Sequence, residues 1–134
     1  YGGLLMINST AFDYVNVLTK AADASWKRES ILTNNISNVD TPGYKRKDLN
    51  FESVLSEELG RCKHKSLDSK LGELDLSKLT PNVYTDHSNY SYRLDGNNVD
   101  IDTENVELAS EQIKYEGLTS SINSQFDRMK KAIG

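Results

Sequence analysis

The sequence predicts a mainly α-helical protein whose long N- and C-terminal helices pair as an antiparallel coiled coil, with a partly irregular middle and a small β-hairpin. The first observation behind this prediction is a seam near each end of the chain, that is, a series of mostly apolar residues at alternating spacings of three and four. This spacing is typical of helices that pack along one another. Between the two seams the period is lost, and an alternating stretch near residues 90–101 indicates strands instead.

The N-terminal helix is predicted over residues 10–39, within a segment 10–48 that also contains an asparagine-rich junction. Thr10, followed three residues later by Asp13, is a typical helix start. Residues 1–9 are expected to be a lead segment, partly upstream or added sequence, because Met6 can serve as a natural start. The seam positions of this helix are Val15, Leu18, Ala22, Ser25, Glu29, Leu32, Ile36 and Val39.

The helix is predicted to stop at Pro42, which disfavours helical geometry in the residue before it. Thr41-Pro42-Gly43-Tyr44 has proline and glycine at the two central positions, the signature of a type II turn. Three asparagines precede the turn, and they admit two interpretations: fraying of the helix end, or a junction whose amides bond to the backbone of a neighbouring subunit. The candidate junction residues are Asn34, Asn35, Ile36, Asn38, Asp40, Thr41, Pro42, Gly43 and Tyr44.

The C-terminal helix is predicted over residues 103–134, with Asp102 or Thr103 as its cap. Its early part is acidic and its last turns are basic, which complements the helix dipole at both ends. Its seam positions are Leu108, Gln112, Tyr115, Thr119, Ile122, Phe126, Met129 and Ile133. From both seams, the side chains expected to hold the helix pair together are Leu18, Leu32, Ile36, Leu108, Tyr115, Ile122 and Phe126.

The middle of the chain, residues 49–88, is predicted to be variable and loosely ordered, because residues 60–88 have no sustained period. Only the stretch from Phe51 to Leu59 has the spacing of a short amphipathic helix. A β-hairpin is predicted at residues 89–102. Its evidence is the strong turn signal Asp95-Gly96, flanked by the alternating residues Tyr90, Tyr92, Leu94, Val99 and Ile101.

A lone helix pair would leave apolar flanks uncovered on both sides of its seam. Such flanks are expected to be buried by other chains, so the pattern predicts lateral packing of many copies. The polar seam positions, among them Glu29, are expected to fix register and partner rather than to add stability. The flank residues are Phe12, Trp26, Ile31, Ile113 and Leu118.

Composition and motifs argue against an enzyme. The 134 residues carry a net charge of −4, which argues against a nucleic-acid partner, and no phosphate-binding loop, metal-binding or nucleophile motif is present. We therefore expect no catalytic residue, no cofactor and no small-molecule substrate. Cys62, His64 and His87 are interpreted as residues of a solvated loop rather than as metal ligands. The basic run at residues 45–47 is interpreted as an ordinary solvated turn.

The stretch "ILTNNISNVDTPGYKRKDLNFESVL" resembles the N-terminal signature of the bacterial flagellar axial proteins, which form the rod, the hook and the hook–filament junction. Within that family, the form with Pro42 and Tyr44 is most similar to proximal rod proteins. The stretch "RLDGNNVDIDTENVELASEQIKYEGLTSSINSQFDRMKKAI" resembles the entry into the family's final helix. The resemblance covers residues 8–59 and 90–133, whereas the middle carries no family motif.

The resemblance implies a structural subunit of the bacterial flagellar basal-body rod, whose terminal helices polymerise and transmit torque for motility. The implied partners are copies of the chain, other rod proteins, a membrane-ring adaptor protein at the rod base and the flagellar type III export apparatus. The implied location is the rod, crossing the periplasm or cell wall, after export without a cleaved signal peptide. The alternatives are a sister proximal rod protein and, from another class, a cytosolic helical export chaperone or binding module.

Overall fold

The computed structural model describes residues 2–61, 70, 74–86 and 96–133, with side chains from residue 12 to residue 132 within those ranges. In chain order the elements are helix α1 (Gly2–Ser37), strand β1 (Lys47–Leu49), helix α2 (Phe51–Arg61), a 3₁₀ turn (Leu76–Lys78), strand β2 (Val83–Thr85) and helix α3 (Ile101–Ile133). Of the predicted lead segment, residues 2–9 belong to α1. Within the described residues, neither long helix is apolar enough to cross a membrane.

The two long helices pack against each other in opposite directions. Ser25 of α1 donates a hydrogen bond to the carbonyl of Glu111, whereas Asn35, ten residues further along α1, contacts Glu104, which lies earlier in α3. This pairing confirms the predicted fold class of paired terminal helices. The closed end of the pair holds the connecting segments at residues 38–46 and 96–100, and the open end holds residues 12–18 and 122–132.

The buried stripe of α1 follows its predicted seam, but α3 keeps only part of its own: Leu108, Tyr115, Ile122 and Met129 are buried or half-buried. Val15, Ala22, Ser25 and Leu32 are all buried on α1. On α3 the buried residues are Glu104, Glu111 and Met129, and the half-buried ones include Leu118 and Gln125. The expected seam positions Gln112, Thr119 and Phe126 are exposed instead. Two buried carboxylates thus occupy a column that hydrophobic periodicity assigns to the outside.

The middle of the chain folds back onto a second face of α1. Ala24 of that helix forms a buried cluster with Leu49, Phe51 and Leu79. Ile31, predicted to lie on an uncovered flank, packs against this cluster together with Leu55, Leu74 and Leu76. Part of the middle is therefore integral to the core, because its scattered leucines converge on the small side chains of one face of α1.

A two-stranded antiparallel sheet joins the middle to the helix pair. Strand β1 pairs with β2 in the register Lys47↔Thr85, Asp48↔Tyr84 and Leu49↔Val83. Of the hairpin predicted at residues 89–102, residues 89–95 lie outside the described part of the chain. The second strand expected at Val99 and Ile101 is wrong: residues 96–100 form no strand, and Ile101 is the first residue of α3.

The N-cap of α3 is Asp100, not Asp102 or Thr103 as predicted. The Asp100 carboxylate accepts hydrogen bonds from the N–H groups of Asp102 (3.0 Å) and Thr103 (3.4 Å), the geometry of a capping side chain. Helix α3 therefore begins two residues before the predicted start.

Candidate subunit-interface site

The predicted turn at the end of α1 has the expected geometry. The N–H of Tyr44 donates to the carbonyl of Thr41 at 3.2 Å, which closes the four-residue turn. Gly43 has φ +72°, the left-handed value that position i+2 of a type II turn requires and that glycine adopts without strain. Asp40, Thr41, Pro42 and Gly43 are exposed, so the turn presents its outer surface to any neighbouring chain.

Asn35 is fully buried and bonds within its own chain rather than to a neighbour. Its amide donates to the Lys47 carbonyl at 2.8 Å, and its side-chain oxygen accepts from the Lys47 N–H at 2.9 Å. The same amide donates to Glu104 at 3.1 Å, and the oxygen also accepts from the Tyr44 hydroxyl at 3.0 Å. A side-chain amide imitates a backbone peptide here, and it joins α1, β1 and α3 at one point.

The other two asparagines of the run lie closer to the surface. The amide of Asn34, an exposed residue, donates to the Tyr44 hydroxyl at 3.2 Å. Asn38 donates to the Asn34 carbonyl at 2.8 Å, and its side-chain oxygen accepts from the Thr41 hydroxyl at 3.1 Å. Both side chains therefore bond locally at the end of the helix. The predicted junction thus consists of a buried cross-link between elements at Asn35 and of exposed residues around it.

Asn97 terminates α1 from the far side of the chain. It is fully buried, and its amide donates to the carbonyls of Asn38 (2.8 Å), Val39 (3.0 Å) and Thr41 (2.8 Å). These carbonyls follow the last helical turn, where backbone acceptors need partners from elsewhere. Sequence reasoning missed Asn97 because it follows Asp95-Gly96, which was interpreted as a hairpin turn.

Gly96 and Asn98 complete the closed end. Gly96 has φ +75°, and a Cβ added to it would lie 3.9 Å from the Cα of Gly43, so the two glycine turns lie against each other. The Asn98 side-chain oxygen accepts from the Arg46 N–H at 2.8 Å, and its amide donates to the Asp86 carbonyl at 2.8 Å. The turn after α1 is thereby fixed to the segment that precedes α3.

Two arginines and the carboxylate between them form a half-buried ion network. Arg28 donates to Asp48 at 2.8 Å and to Glu111 at 2.8 Å, and Arg46 donates to Asp48 at 3.1 Å and to Glu104 at 2.5 Å. Glu107 and Asp86 add an outer partner to each arginine. The interpretation of residues 45–47 as a solvated turn is therefore wrong for Arg46, because the buried Glu104 carboxylate needs a cation.

The network shifts the ionisation of its members. Burial by itself raises the pKa of Asp48, but hydrogen bonds from the Arg28 guanidinium and the Leu49 N–H outweigh it, so the pKa of Asp48 lies below its usual value. The hydrogen bond to Asp48 raises the pKa of Arg28 despite its burial. The network therefore joins α1, β1 and α3 through paired charges.

The side of the helix pair away from the sheet carries an aromatic stripe, which we call the outer face: Phe12, Trp26, Tyr115 and Phe126. Trp26 is 63% exposed, Phe12 54% and Phe126 45%. The rings of Trp26 and Tyr115 are 5.5 Å apart at their centroids. Phe12 lies 14 residues before Trp26, and Phe126 lies 11 after Tyr115, spacings that return to nearly the same side of a helix.

The predicted pairing residues are distributed between the seam and this outer face. Leu32 is fully buried; Leu18, Ile36, Leu108, Tyr115 and Ile122 are half-buried; and Phe126 lies on the outer face. Val106 (68% exposed) and Ile113 (70% exposed) form a further apolar strip on α3. Of the predicted flank residues, Phe12, Trp26 and Ile113 are thus strongly exposed in the single chain.

The three residues considered as metal ligands, Cys62, His64 and His87, lie outside the described residues. In the part of the chain that the structure describes, no three histidine, cysteine, aspartate or glutamate side chains are placed to hold a metal ion.

Comparison with known proteins identifies the family. A family model described as "Flagella basal body rod protein" matches residues 16–45, from α1 through the turn. The flagellar basal body rod protein FlgB of Bacillus subtilis (strain 168) is 36% identical over 107 residues, which cover 79% of this chain and 81% of that protein. The chain belongs to the flagellar basal-body rod protein family.

Other relatives of this rod protein carry the same name. FlgB of Buchnera aphidicola subsp. Acyrthosiphon pisum (strain APS) is 32% identical over 85% of this chain and 89% of its own length. FlgB of Escherichia coli (strain K12) is 28% identical over 80% of this chain and 83% of its own length. The family match confirms the resemblance found in the sequence. It spans Asn35, the glycine turn and the exposed Trp26 of the rod protein.

Proposed function

We propose that this chain is a structural subunit of the proximal rod, polymerising through its paired terminal helices and transmitting torque from the rotor toward the hook. Membership of the rod family supports the structural role. The observation that carries the proposal is the outer face, where aromatic side chains remain exposed along a helix pair whose opposite side is covered by the sheet and α2. Exposed apolar stripes of this kind mark interaction surfaces.

The outer face offers enough apolar area to drive assembly. Each of its three most exposed aromatic side chains presents on the order of 100 Å². At about 25 cal/mol per Å², covering them contributes roughly 7 kcal/mol before the cost of ordering two chains is subtracted. Copies of the chain and other rod proteins are the partners that this surface fits.

The closed end suits a subunit that transmits force. The turn is fixed to the segment before α3 by Asn97 and Asn98, while its outer residues stay exposed. A rigid, exposed turn can press against a neighbour without losing its shape. We assign the exposed residues Asn34, Asp40, Thr41, Pro42 and Gly43 to an inter-subunit contact, and Asn35 to the support beneath them.

The remaining parts of the proposal follow from the family. We propose that the chain leaves the cell through the flagellar export apparatus without a cleaved signal peptide, occupies the rod where it crosses the periplasm or cell wall, and meets a membrane-ring adaptor protein at the rod base. The role requires no cofactor, catalytic residue, nucleic acid or small-molecule substrate.

Deletion of the gene tests the proposal. We expect loss of motility and of rods in isolated basal bodies, with recovery when the wild-type gene is returned. The double variant Pro42→Ala/Gly43→Ala should restore assembly poorly although its helix content in solution changes little, because the substitutions alter an exposed turn. Motile deletion cells with normal rods would refute the proposal, and a compact chaperone-like dimer confined to the cytosol would favour the alternative class.

A further inference from the structure

The groove beside Trp26 on the outer face carries negative charge without a compensating cation. It has a volume of about 340 Å³ and is lined by Trp26, Glu29, Ser30, Thr33, Leu108 and Gln112. The one charged side chain in this lining is Glu29, and among the described residues no basic group forms an ion pair with it. Exposed Glu116 lies one turn beyond Gln112 on α3 and adds to the same negative field.

The environment of Glu29 is unfavourable for its charge. Burial raises the pKa of Glu29, and the charges of Glu111 and Glu116 raise it further. Glu111 already pairs with Arg28, whereas Glu29 and Glu116 have no such partner among the described residues. A cation entering the groove would therefore relieve repulsion between carboxylates and would also meet the face of an exposed indole, which attracts cations.

The matching cations lie on α3, at the open end of the pair. Arg128, Lys130 and Lys131 are all exposed, and with Asp127 beside them the last turns carry a net positive charge. Within the described chain, none of the three forms an ion pair. Lys130 lies 14 residues after Glu116 on one continuous helix, a separation of about 21 Å, so the acidic and basic groups of a single chain cannot meet.

We propose that the groove beside Trp26 receives the basic last turns of α3, residues 128–131, from a second copy displaced along the helix axis by about 21 Å. This inference rests on the proposed function and specifies one of its contacts. The cations meet Glu29 and Glu116, and one of them covers the Trp26 ring. The contact joins two different surfaces and displaces each copy along the helix axis, so it does not close into a ring, and repetition adds copies in one direction as a rod requires.

Zero-length crosslinking tests the contact directly. Unlabelled and ¹⁵N-labelled full-length protein are mixed, concentrated and treated with a carbodiimide, which joins carboxylates to lysines only in direct contact. Mass spectrometry should find isotopically mixed peptides that link Glu29 or Glu116 to Lys130 or Lys131. Mixed peptides that link other pairs, or the absence of any mixed peptide at the highest concentration reached, would overturn the proposal.

Charge exchange in cells provides a second test. In the deletion strain, Glu29→Lys/Glu116→Lys should abolish swarming, and adding Lys130→Glu/Lys131→Glu to the same chain should restore it. Glu57→Lys, at an exposed position of α2, is the matched control and should leave swarming unchanged. Normal swarming of the first variant, or failure of the exchange to restore it while helix content and unfolding stay unchanged, would overturn the contact.

The two proposals can fail separately. A deletion strain that keeps its rods contradicts the structural role itself. A deletion strain that loses its rods but is rescued by Glu29→Lys/Glu116→Lys contradicts only the groove contact.

Discussion

At the scale of residues, two asparagine side chains at the closed end form the hydrogen bonds that backbone peptide groups form elsewhere. Asn35 bonds to both the N–H and the carbonyl of Lys47, and Asn97 satisfies three carbonyls after α1. Both side chains are fully buried, so removal of either amide would take hydrogen-bond partners from part-buried backbone groups. Their neighbours Asn34 and Asn38 are less buried and close the helix end locally.

Replacing Asn35 by alanine should therefore cost far more than replacing Asn34. We expect Asn35→Ala to lower the free energy of unfolding by about 3 kcal/mol, because the part-buried backbone groups of Lys47 and the buried Glu104 carboxylate each lose a partner. Asn34→Ala is the matched control and should cost less than about 1 kcal/mol. Urea unfolding followed by circular dichroism measures both, and equal losses would show that the buried hydrogen bonds of Asn35 do not hold the elements together.

At the scale of elements, charge pairing rather than apolar packing sets the rotation of α3. Glu104 and Glu111 point inward, where they form ion pairs with Arg46 and Arg28. Both arginines also form an ion pair with Asp48 of β1. The half-buried network joins α1, β1 and α3, and Phe126 lies on the outer face instead of in the seam. Removing one charged member of such a network lowers stability by more than its ion pair contributes, because the remaining charges stay shielded from water without a partner.

The network predicts that the stability of the folded chain is sensitive to acid. The pKa of Asp48 is lower in the folded chain than its usual value, so its stabilising contribution is present above about pH 4 and is lost as the pH falls through the folded pKa. Asp48→Asn should cost about 2–3 kcal/mol at pH 7. The difference from wild type should shrink at pH 3, as measured by urea unfolding at both pH values.

Asp23→Asn, at an exposed position of the same helix pair, is the control and should change stability by less than about 0.5 kcal/mol at either pH. A difference between wild type and Asp48→Asn that stays constant from pH 7 to pH 3 would contradict a role for the Asp48 charge.

Glu29 should show the opposite dependence. Its pKa is raised in the folded chain, so its charged form weakens the fold above the unfolded pKa, and that cost vanishes as acid protonates it. Glu29→Gln should stabilise the isolated chain at pH 7 by up to about 0.5 kcal/mol, with no gain below about pH 4. Thermal unfolding at both pH values measures this, and a loss of stability at pH 7 would contradict it.

At the scale of the whole molecule, the helix pair is held more firmly at one end than at the other. The closed end contains Asn35, Asn97 and the arginine network, whereas Val15 and Met129 are the buried residues of the described open end. The open end also carries the exposed Phe12 and Phe126 and the basic last turns. The firm end therefore preserves the shape of the subunit, and the loose end retains surface for its neighbours.

Hydrogen exchange should report this gradient. In the isolated chain, amides of residues 12–20 and 122–132 should exchange roughly tenfold or more faster than those of residues 24–36 and 103–116, because they open without breaking the network. Peptide-resolved exchange with mass spectrometry makes the comparison within one sample. Uniform protection along both helices would contradict the gradient.

Much of this architecture could be predicted, and the failures share a cause. The heptad spacing indicated both long helices, and the Pro-Gly pair predicted a type II turn with Gly43 in the left-handed region. The strand pairing of residues 47–49 with 83–85 was missed, because strands of three residues have too little period to detect. Arg46 was assigned to solvent because its partner Glu104 lies 58 residues away in the chain.

The sequence by itself determined the features that depend on near neighbours: the helical periods, the turn at Pro42 and the family signature around it. Only the tertiary structure decided which face of α3 is buried, which asparagine cross-links the elements and which aromatic side chains stay exposed. The physical reason is that a charged or amide side chain is buried only where distant partners satisfy it, and local spacing carries no information about where those partners will be.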